Sequence, residues 1–402
     1  MRGARVALVA GLLAALTACS SPDGTAPPAG TAGAASSSRT SATQPARASV
    51  SRPPTASATS PAPSPTAAAP ASITISAIGD VLPHAAVNQD AATGDGYDYD
   101  AMFAAVKPTI ARSTIGICQL ETALSADDTR LTRKNTFNSP HELARTLRDV
   151  GFDGCSTANN HTWDAGLRGV RETRQVLAAH GLQAAGPTAT AAGSGAPARY
   201  DAPLRVAHLS LSYSLMNSIE EDTTTTPPRA PWMRDNLYAA QRAEGIIASA
   251  RRAKADGADL VVVSLHWGSQ FDPAVTTDQR TIGDALLRSG AVDLIIGAHP
   301  HLIQPCAKIN GRYVLYSVGN FLSTQGTAVG SPVGAQDGVV ATVRFERDRT
   351  GRISQSLTYR PTWVDRGHGH RVVLATPTSR PESYHRTVAA MSRSGCDAKV
   401  EP

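Results

Sequence analysis

The stretch Asp293-Leu294-Ile295-Ile296-Gly297-Ala298-His299-Pro300-His301 decides the fold class. Leu294-Ile295-Ile296 is too short an apolar run for a helix and is rich in β-branched residues. It reads as a strand buried on both faces, as in a parallel sheet. Gly297 ends it. With the turn kept extended, His299 and His301 put their side chains on one side. A buried strand then delivers two imidazoles to its carboxyl end, where open α/β sheets hold their sites. The competing reading is two unrelated loop histidines, since His is also a common surface residue.

The chain has 402 residues, with 38 Lys and Arg against 33 Asp and Glu. No Lys/Arg block stands out, so composition speaks against a nucleic-acid partner. Residues 1–19 carry Arg2 and Arg5, an apolar run from Val6 to Leu16, and then Leu16-Thr17-Ala18-Cys19. That is a secretory signal, its apolar run too short for a permanent membrane helix. Leu-Thr-Ala-Cys is similar to a bacterial lipobox, which makes Cys19 the expected lipidation site of an exported, outward-facing membrane lipoprotein. The alternative is an ordinary signal peptide. Residues 20–71 are almost wholly Ser, Thr, Ala, Pro and Gly. Such a segment cannot bury enough surface to offset its ordering entropy and reads as a disordered stalk. Residues 72–402 are long enough for one large domain.

Four further cysteines follow, Cys118, Cys155, Cys306 and Cys396. An even number in an exported domain suggests disulfides, with three pairings open. Cys118 and Cys155 each sit near a strand end. If those strands are neighbours they can pair, leaving Cys306 and Cys396 to fasten the tail. None of the four has zinc-finger spacing.

Other strand ends repeat the opening pattern. Ser72 to Ile78 alternates and runs into Gly79-Asp80, then His84. Tyr99 to Val106 reads as a helix stopped by Pro108. Ser113 to Cys118 is a strand ending at Glu121. Ser139 reads as the N-cap of a helix with Pro140 first and Glu142 closing a capping box. Asp153 to Thr157 leads into Asn159-Asn160-His161, with Asp164 three residues on. An Asn oxygen can ligate a hard cation, a neighbouring His can donate a proton, and Asp164 can orient that His. The bland alternative is a polar turn. Ser218 to Pro231 reads as a polar loop over the site. Ala258 to Leu265 is the clearest buried strand and ends in His266. Gly338 to Phe345 and Ile353 to Arg360 read as an antiparallel hairpin. No strand delivers His368 and His370, which read as surface residues.

Asp80, Glu121, Asn160, His161, His266, His299 and His301, with His84 as a further candidate, therefore all lie at strand carboxyl ends. This mix of imidazole, carboxylate and amide oxygen suits Mn, Zn or Fe better than Ca or Mg. It is too many ligands for one catalytic ion and about right for two.

Gly79-Asp80, Leu120-Glu121-Thr122, Ala158-Asn159-Asn160-His161, Ser264-Leu265-His266-Trp267-Gly268, Gly297-Ala298-His299-Pro300-His301 and Tyr316-Ser317-Val318-Gly319-Asn320-Phe321 resemble the CapA family of poly-γ-glutamate and capsule synthesis proteins. That family is similar to the calcineurin-like metallophosphoesterases. The resemblance covers residues 73–323. It implies a four-layer α/β/β/α sandwich and an envelope location. It also implies Asp80, Glu121, Asn160, His266, His299 and His301 as ligands of two divalent ions, with His161 as general acid and Asp164 its partner. The sequence departs from the phosphoesterase pattern at two points. His84 stands four residues after Asp80 rather than two, and Glu121 replaces the usual bridging Asp. The expected function is a metal-dependent hydrolase serving an envelope polymer or its precursor, alongside polymer-synthesis membrane proteins. The alternative is a non-catalytic polymer-binding or assembly scaffold on the same fold.

Overall fold

The computed structural model describes residues 69–132 and 134–401. The expected signal segment, the lipidation site Cys19 and residues 20–68 of the expected stalk lie outside them. Among the described residues, no helix is long and apolar enough to cross a membrane.

Two mixed sheets organise the domain. In the nine-stranded sheet the path runs Arg371–Leu374, Ile353–Asp365, Asp337–Arg347, Ala71–Leu82, Ile115–Leu120, Gly154–Ser156 and Gln183–Ala185. Asn320–Ser323 joins it beside the end of Ala71–Leu82, and Lys399–Val400 beside Ile353–Asp365. The six-stranded sheet runs Cys306–Ile309, Arg312–Leu315, Leu294–Ala298, Leu260–His266, Val206–Ser212 and Ala198–Tyr200. Its four middle strands are parallel and its two edge strands antiparallel.

Strand parity explains the layers. Leu260 and Val262 enter the core between the sheets with Ile73, Ile75, Ile115 and Ile117. Val261, Val263 and Leu265 face outward onto the helices Tyr238–Ala255 and Thr277–Arg288, meeting Ile246, Ala250 and Leu286. Every residue of Leu260–His266 is buried, which is why it carries no polar alternation. On the far side, Ile78, Cys118 and Leu120 of the first sheet pack under the helices Glu142–Val150 and Gly166–Ala179. The result is the four-layer α/β/β/α sandwich.

The cysteines are joined as Cys118–Cys155 and Cys306–Cys396. Cys118 and Cys155 are register partners on adjacent parallel strands, with Cα atoms 4.4 Å apart. Cys306–Cys396 ties an edge strand to the segment that follows the helix Pro381–Ser392.

Several local readings are corrected. Pro108 does not stop a helix but stands in the first turn of Lys107–Ile110, where its missing N–H costs nothing. The Ser139 cap is not formed. Ser139 pairs with Leu124 in a short parallel ribbon, and the helix begins at Glu142. Asp128 Oδ1 accepts the His141 N–H at 3.1 Å, and Glu142 Oε1 accepts from Tyr97 N–H at 3.1 Å. His370 is buried rather than superficial, with Nδ1 2.6 Å from Asp90 Oδ2.

One irregularity aims the first sheet at the site. Between Ala77 and Asp80 the strand Ala71–Leu82 gains a residue against Ile115–Leu120, pairing Ala77 with Ile117 and Asp80 with Gln119. Strict alternation would put Asp80 with Ile78 on the helix side. The bulge turns it toward the other sheet instead and carries Val81 over to the helix side. Gly79 permits this. A Cβ there would sit 1.9 Å from Gly319 O, the atom that accepts the Asp80 N–H at 3.1 Å. Gly79→Ala is therefore expected to cost about 2 kcal/mol or more. Urea unfolding followed by circular dichroism measures it, and an unchanged midpoint would contradict the close-approach account.

Candidate metal centre

The carboxyl ends of strands from both sheets meet at one place. Asp80 arrives through the bulge. Glu121 follows Ile115–Leu120 with the parity of Ile115 and Ile117, and its N–H is held by Val81 O at 3.0 Å. His266 ends Leu260–His266 with the parity of Leu260 and Val262. Asp80, Glu121 and His266 are fully buried, and Asn160, His299 and His301 nearly so.

Glu121, His266 and His299 bring one ligand atom each within 4.8 Å of one another, and so do Asp80, Glu121 and His301. Glu121 belongs to both groups. Asn160 joins the first group. His266 Nε2 lies 2.9 Å from Asn160 Oδ1 and 3.4 Å from Glu121 Oε1, so three ligand-type atoms crowd one point.

The chain leaves these atoms unsatisfied. Asp80 Oδ1, both Glu121 oxygens and His299 Nδ1 are buried without a hydrogen bond. Buried polar atoms normally have partners, so an orphaned cluster of this composition asks for a cation. The titration behaviour agrees. Burial, then the facing Glu121, raises the Asp80 carboxyl above its ordinary value. For Glu121 burial opposes ionisation, but His301 and His266 outweigh it and hold the carboxyl at about 2. Burial likewise opposes charge on His301, yet Glu121 and Asp80 hold it up to about 9, so a cation bound there would displace the proton these carboxylates otherwise retain. Burial, reinforced by His266, drives His299 well below the usual imidazole value, leaving it neutral as a metal ligand must be. The residues present therefore fit divalent metal.

The opening stretch works differently from its extended reading. His299 has φ +98° and His301 φ +54°, so neither is in an extended conformation. Left-handed backbone at two non-glycine residues is costly, and surrounding contacts sustain it. His299 N–H donates to Asp80 Oδ2 at 3.2 Å, and His301 Nδ1 stands 3.0 Å from Asn320 Oδ1. Asn320 is itself fixed by donating to Gln325 Oε1 at 2.8 Å and Ala335 O at 2.7 Å.

His161 and Asp164 form a buried pair, Nδ1 to Oδ2 2.7 Å. A carboxylate only accepts, so Nδ1 carries the proton and Nε2 is left for the cavity. Phe137 N–H also donates to Asp164 Oδ2, at 2.6 Å, and the Phe137 ring lies 4.3 Å from the His161 ring. Asn159 organises the turn, accepting from His161 N–H at 2.9 Å and donating to Leu120 O at 2.7 Å. His84 is not brought into either ligand group. Its Nδ1 lies 3.0 Å from Leu82 O and its ring packs 5.0 Å from Phe137, in the cavity wall.

Sequence reasoning missed Asn217, Asn320, Phe137, Tyr213 and Phe271. Asn320 had one legible signal, a Gly-Asn step at a strand boundary; the others come from loops with no periodicity to read.

A family model described as "Bacterial capsule synthesis protein PGA_cap" matches residues 74–325. The chain is 30% identical over 216 residues to the PGA biosynthesis protein CapA of Bacillus subtilis (strain 168), covering 52% of each protein. It is 26% identical over 259 residues to the capsule biosynthesis protein CapA of Bacillus anthracis, covering 63% of this chain and 60% of that protein. The chain thus spans between half and three-fifths of these curated relatives. Among solved structures, the calcineurin-like phosphoesterase YfkN from Bacillus subtilis aligns with 71% of this chain and 91% of its own, at 13% identity and a TM-score of 0.40.

Asn217 Oδ1 accepts from Asn160 Nδ2 at 2.7 Å, which leaves Asn160 Oδ1 turned to the ligand cluster. Removing such an orienting partner typically weakens metal binding by about 10–100-fold. Asn217→Leu is expected to weaken Mn²⁺ binding in that range by titration calorimetry, while Asn217→Asp, which still accepts, retains it. Equal affinities in both variants would contradict the role.

Proposed function

The chain belongs to the bacterial capsule synthesis protein PGA_cap family, and on that premise we propose that it is a metal-dependent hydrolase in the synthesis of an envelope polymer. The observation that carries this reading is the shared Glu121, flanked by two buried histidine-carboxylate groups whose oxygens lack partners. Asp80, Glu121 and His301 would hold one divalent ion. Glu121, His266, His299 and Asn160 would hold the other. Such a pair, when bound, supplies Lewis-acid polarisation and an activated water for displacement at phosphorus.

The chain's own residues do the rest. Asp164 holds the Nδ1 proton of His161, so the proton delivered to a leaving oxygen is a second one, carried on Nε2. Phe137 packs on that imidazole and limits its motion. The ligand shell is buried, so charge changes there act through a low dielectric. The relatives named for capsule and PGA biosynthesis support an envelope polymer, or a precursor of one, as the material acted on.

The same proposal places the domain, residues 72–402, outside the cell. Residues 1–19 would act as a lipoprotein signal, Cys19 would be the lipid-bearing residue, and residues 20–71 would be the stalk. The polar, charge-poor composition of that stalk supports the layout. Polymer-synthesis membrane proteins are the partners such a tether would bring within reach.

His161→Ala tests the catalytic part. Turnover of bis-p-nitrophenyl phosphate is expected to fall by about 10²–10⁴-fold, with metal content and circular dichroism unchanged. Unchanged turnover would remove the acid role and leave the polymer-binding scaffold as the better account.

A further inference from the structure

The ligand cluster floors a cavity of about 760 Å³. Among its described lining residues there is no lysine or arginine. The side chains around the floor are amides and hydroxyls, such as Asn217, Ser269, Gln270 and Gln325, and Glu220 adds a carboxylate at the rim. The remaining imidazole of the wall, His84, is held neutral, since burial lowers it to about 4. His161 is already committed to Asp164 and to the leaving group. Among the described wall residues, then, no lysine or arginine adds to the charge that ions on the floor would supply, so the wall offers a second negative charge no partner of its own.

The walls are instead aromatic, and they come from separate loops. Phe137 lies against His161 and His84, at 4.3 and 5.0 Å between ring centres. Phe271 lies 5.8 Å from the His301 ring, and Tyr213 lies 4.5 Å from that of His299. Phe271 is held there against its own backbone preference. Its φ is +60°, and its N–H donates to Pro300 O at 2.9 Å. A strained bulky residue at the edge of a site marks a position fixed for contact rather than for stability.

We infer that this cavity selects phosphodiesters over phosphomonoesters, with an organic arm of the substrate against Phe137 and the other against Phe271. The inference rests on the hydrolase reading and narrows its substrate class. A diester brings one negative charge and two arms; a monoester brings two charges and one arm. In the reaction, water forms a new bond to phosphorus and releases a proton to solvent. The bond from phosphorus to the leaving oxygen breaks with its electron pair, and that oxygen takes the His161 proton. The products are an alcohol and a phosphomonoester. The monoester product keeps only one arm to hold against the aromatic walls, which favours its release.

The test uses the full chain loaded with Mn²⁺. Diphenyl phosphate and phenyl phosphate are titrated by calorimetry, and bis-p-nitrophenyl and p-nitrophenyl phosphate are turned over in parallel. Diphenyl phosphate is expected to bind about ten-fold or more tightly than phenyl phosphate. Phe271→Ala is expected to weaken diphenyl phosphate several-fold while leaving phenyl phosphate within about two-fold. Equal or tighter binding of phenyl phosphate, no binding of either, or faster turnover of the monoester would overturn the inference. Preferential diester binding with no turnover of either substrate would leave the selectivity standing and remove the hydrolase reading.

Discussion

Two carboxyl groups set the terms for this domain. Asp80 and Glu121 are fully buried where the sheets meet, and Asp80 Oδ1 and both Glu121 oxygens have no hydrogen bond. Burying such groups without compensation costs several kcal/mol, so the surrounding chain is arranged around their charge. The answer is a ligand set, His301, His266, His299 and Asn160, in which a cation would take the place of the proton the carboxylates otherwise hold on His301. The parallel strands of the second sheet and the bulge at Gly79 in the first are the means by which these groups reach one another.

That arrangement also accounts for strain elsewhere. His299, His301 and Phe271 all adopt positive φ around the same cavity. Asp80, Asn320 and Pro300 hold them there through hydrogen bonds to the backbone or side chain. Asn159, Asn217 and Asn320 each orient a neighbour, Asn159 and Asn320 from buried positions and Asn217 from the half-buried cavity wall. The polar cost of the centre is thus distributed over amides and backbone, not over lysine or arginine.

Much of this was legible in the sequence because strand parity is a two-residue repeat. Buried runs such as Leu260 to Leu265 announce a strand covered on both sides, and a polar residue just beyond its end announces the site. Asp80, Glu121, Asn160, His161, His266, His299 and His301 were found on that rule, and the structure brings them together. The geometry of His299 and His301 was not legible, because left-handed backbone at a non-glycine residue is imposed by distant partners. The bulge at Gly79 depends on the carbonyl of Gly319, far along the chain. Ser139 was misread because Asp128, from another loop, caps the helix instead. Phe137, Tyr213, Asn217 and Phe271 lie in loops, where no periodicity marks a side chain as inward-facing.

The central claim is that Glu121 joins two metal sites into one centre. Manganese analysis combined with electron paramagnetic resonance on the reconstituted full chain tests it most directly. The account predicts about two Mn²⁺ per chain with the spectrum of a spin-coupled pair, as ions ~3.5–4 Å apart give, and loss of that coupling in Glu121→Gln. Two uncoupled ions, a single ion, or a coupled pair that survives Glu121→Gln would contradict it.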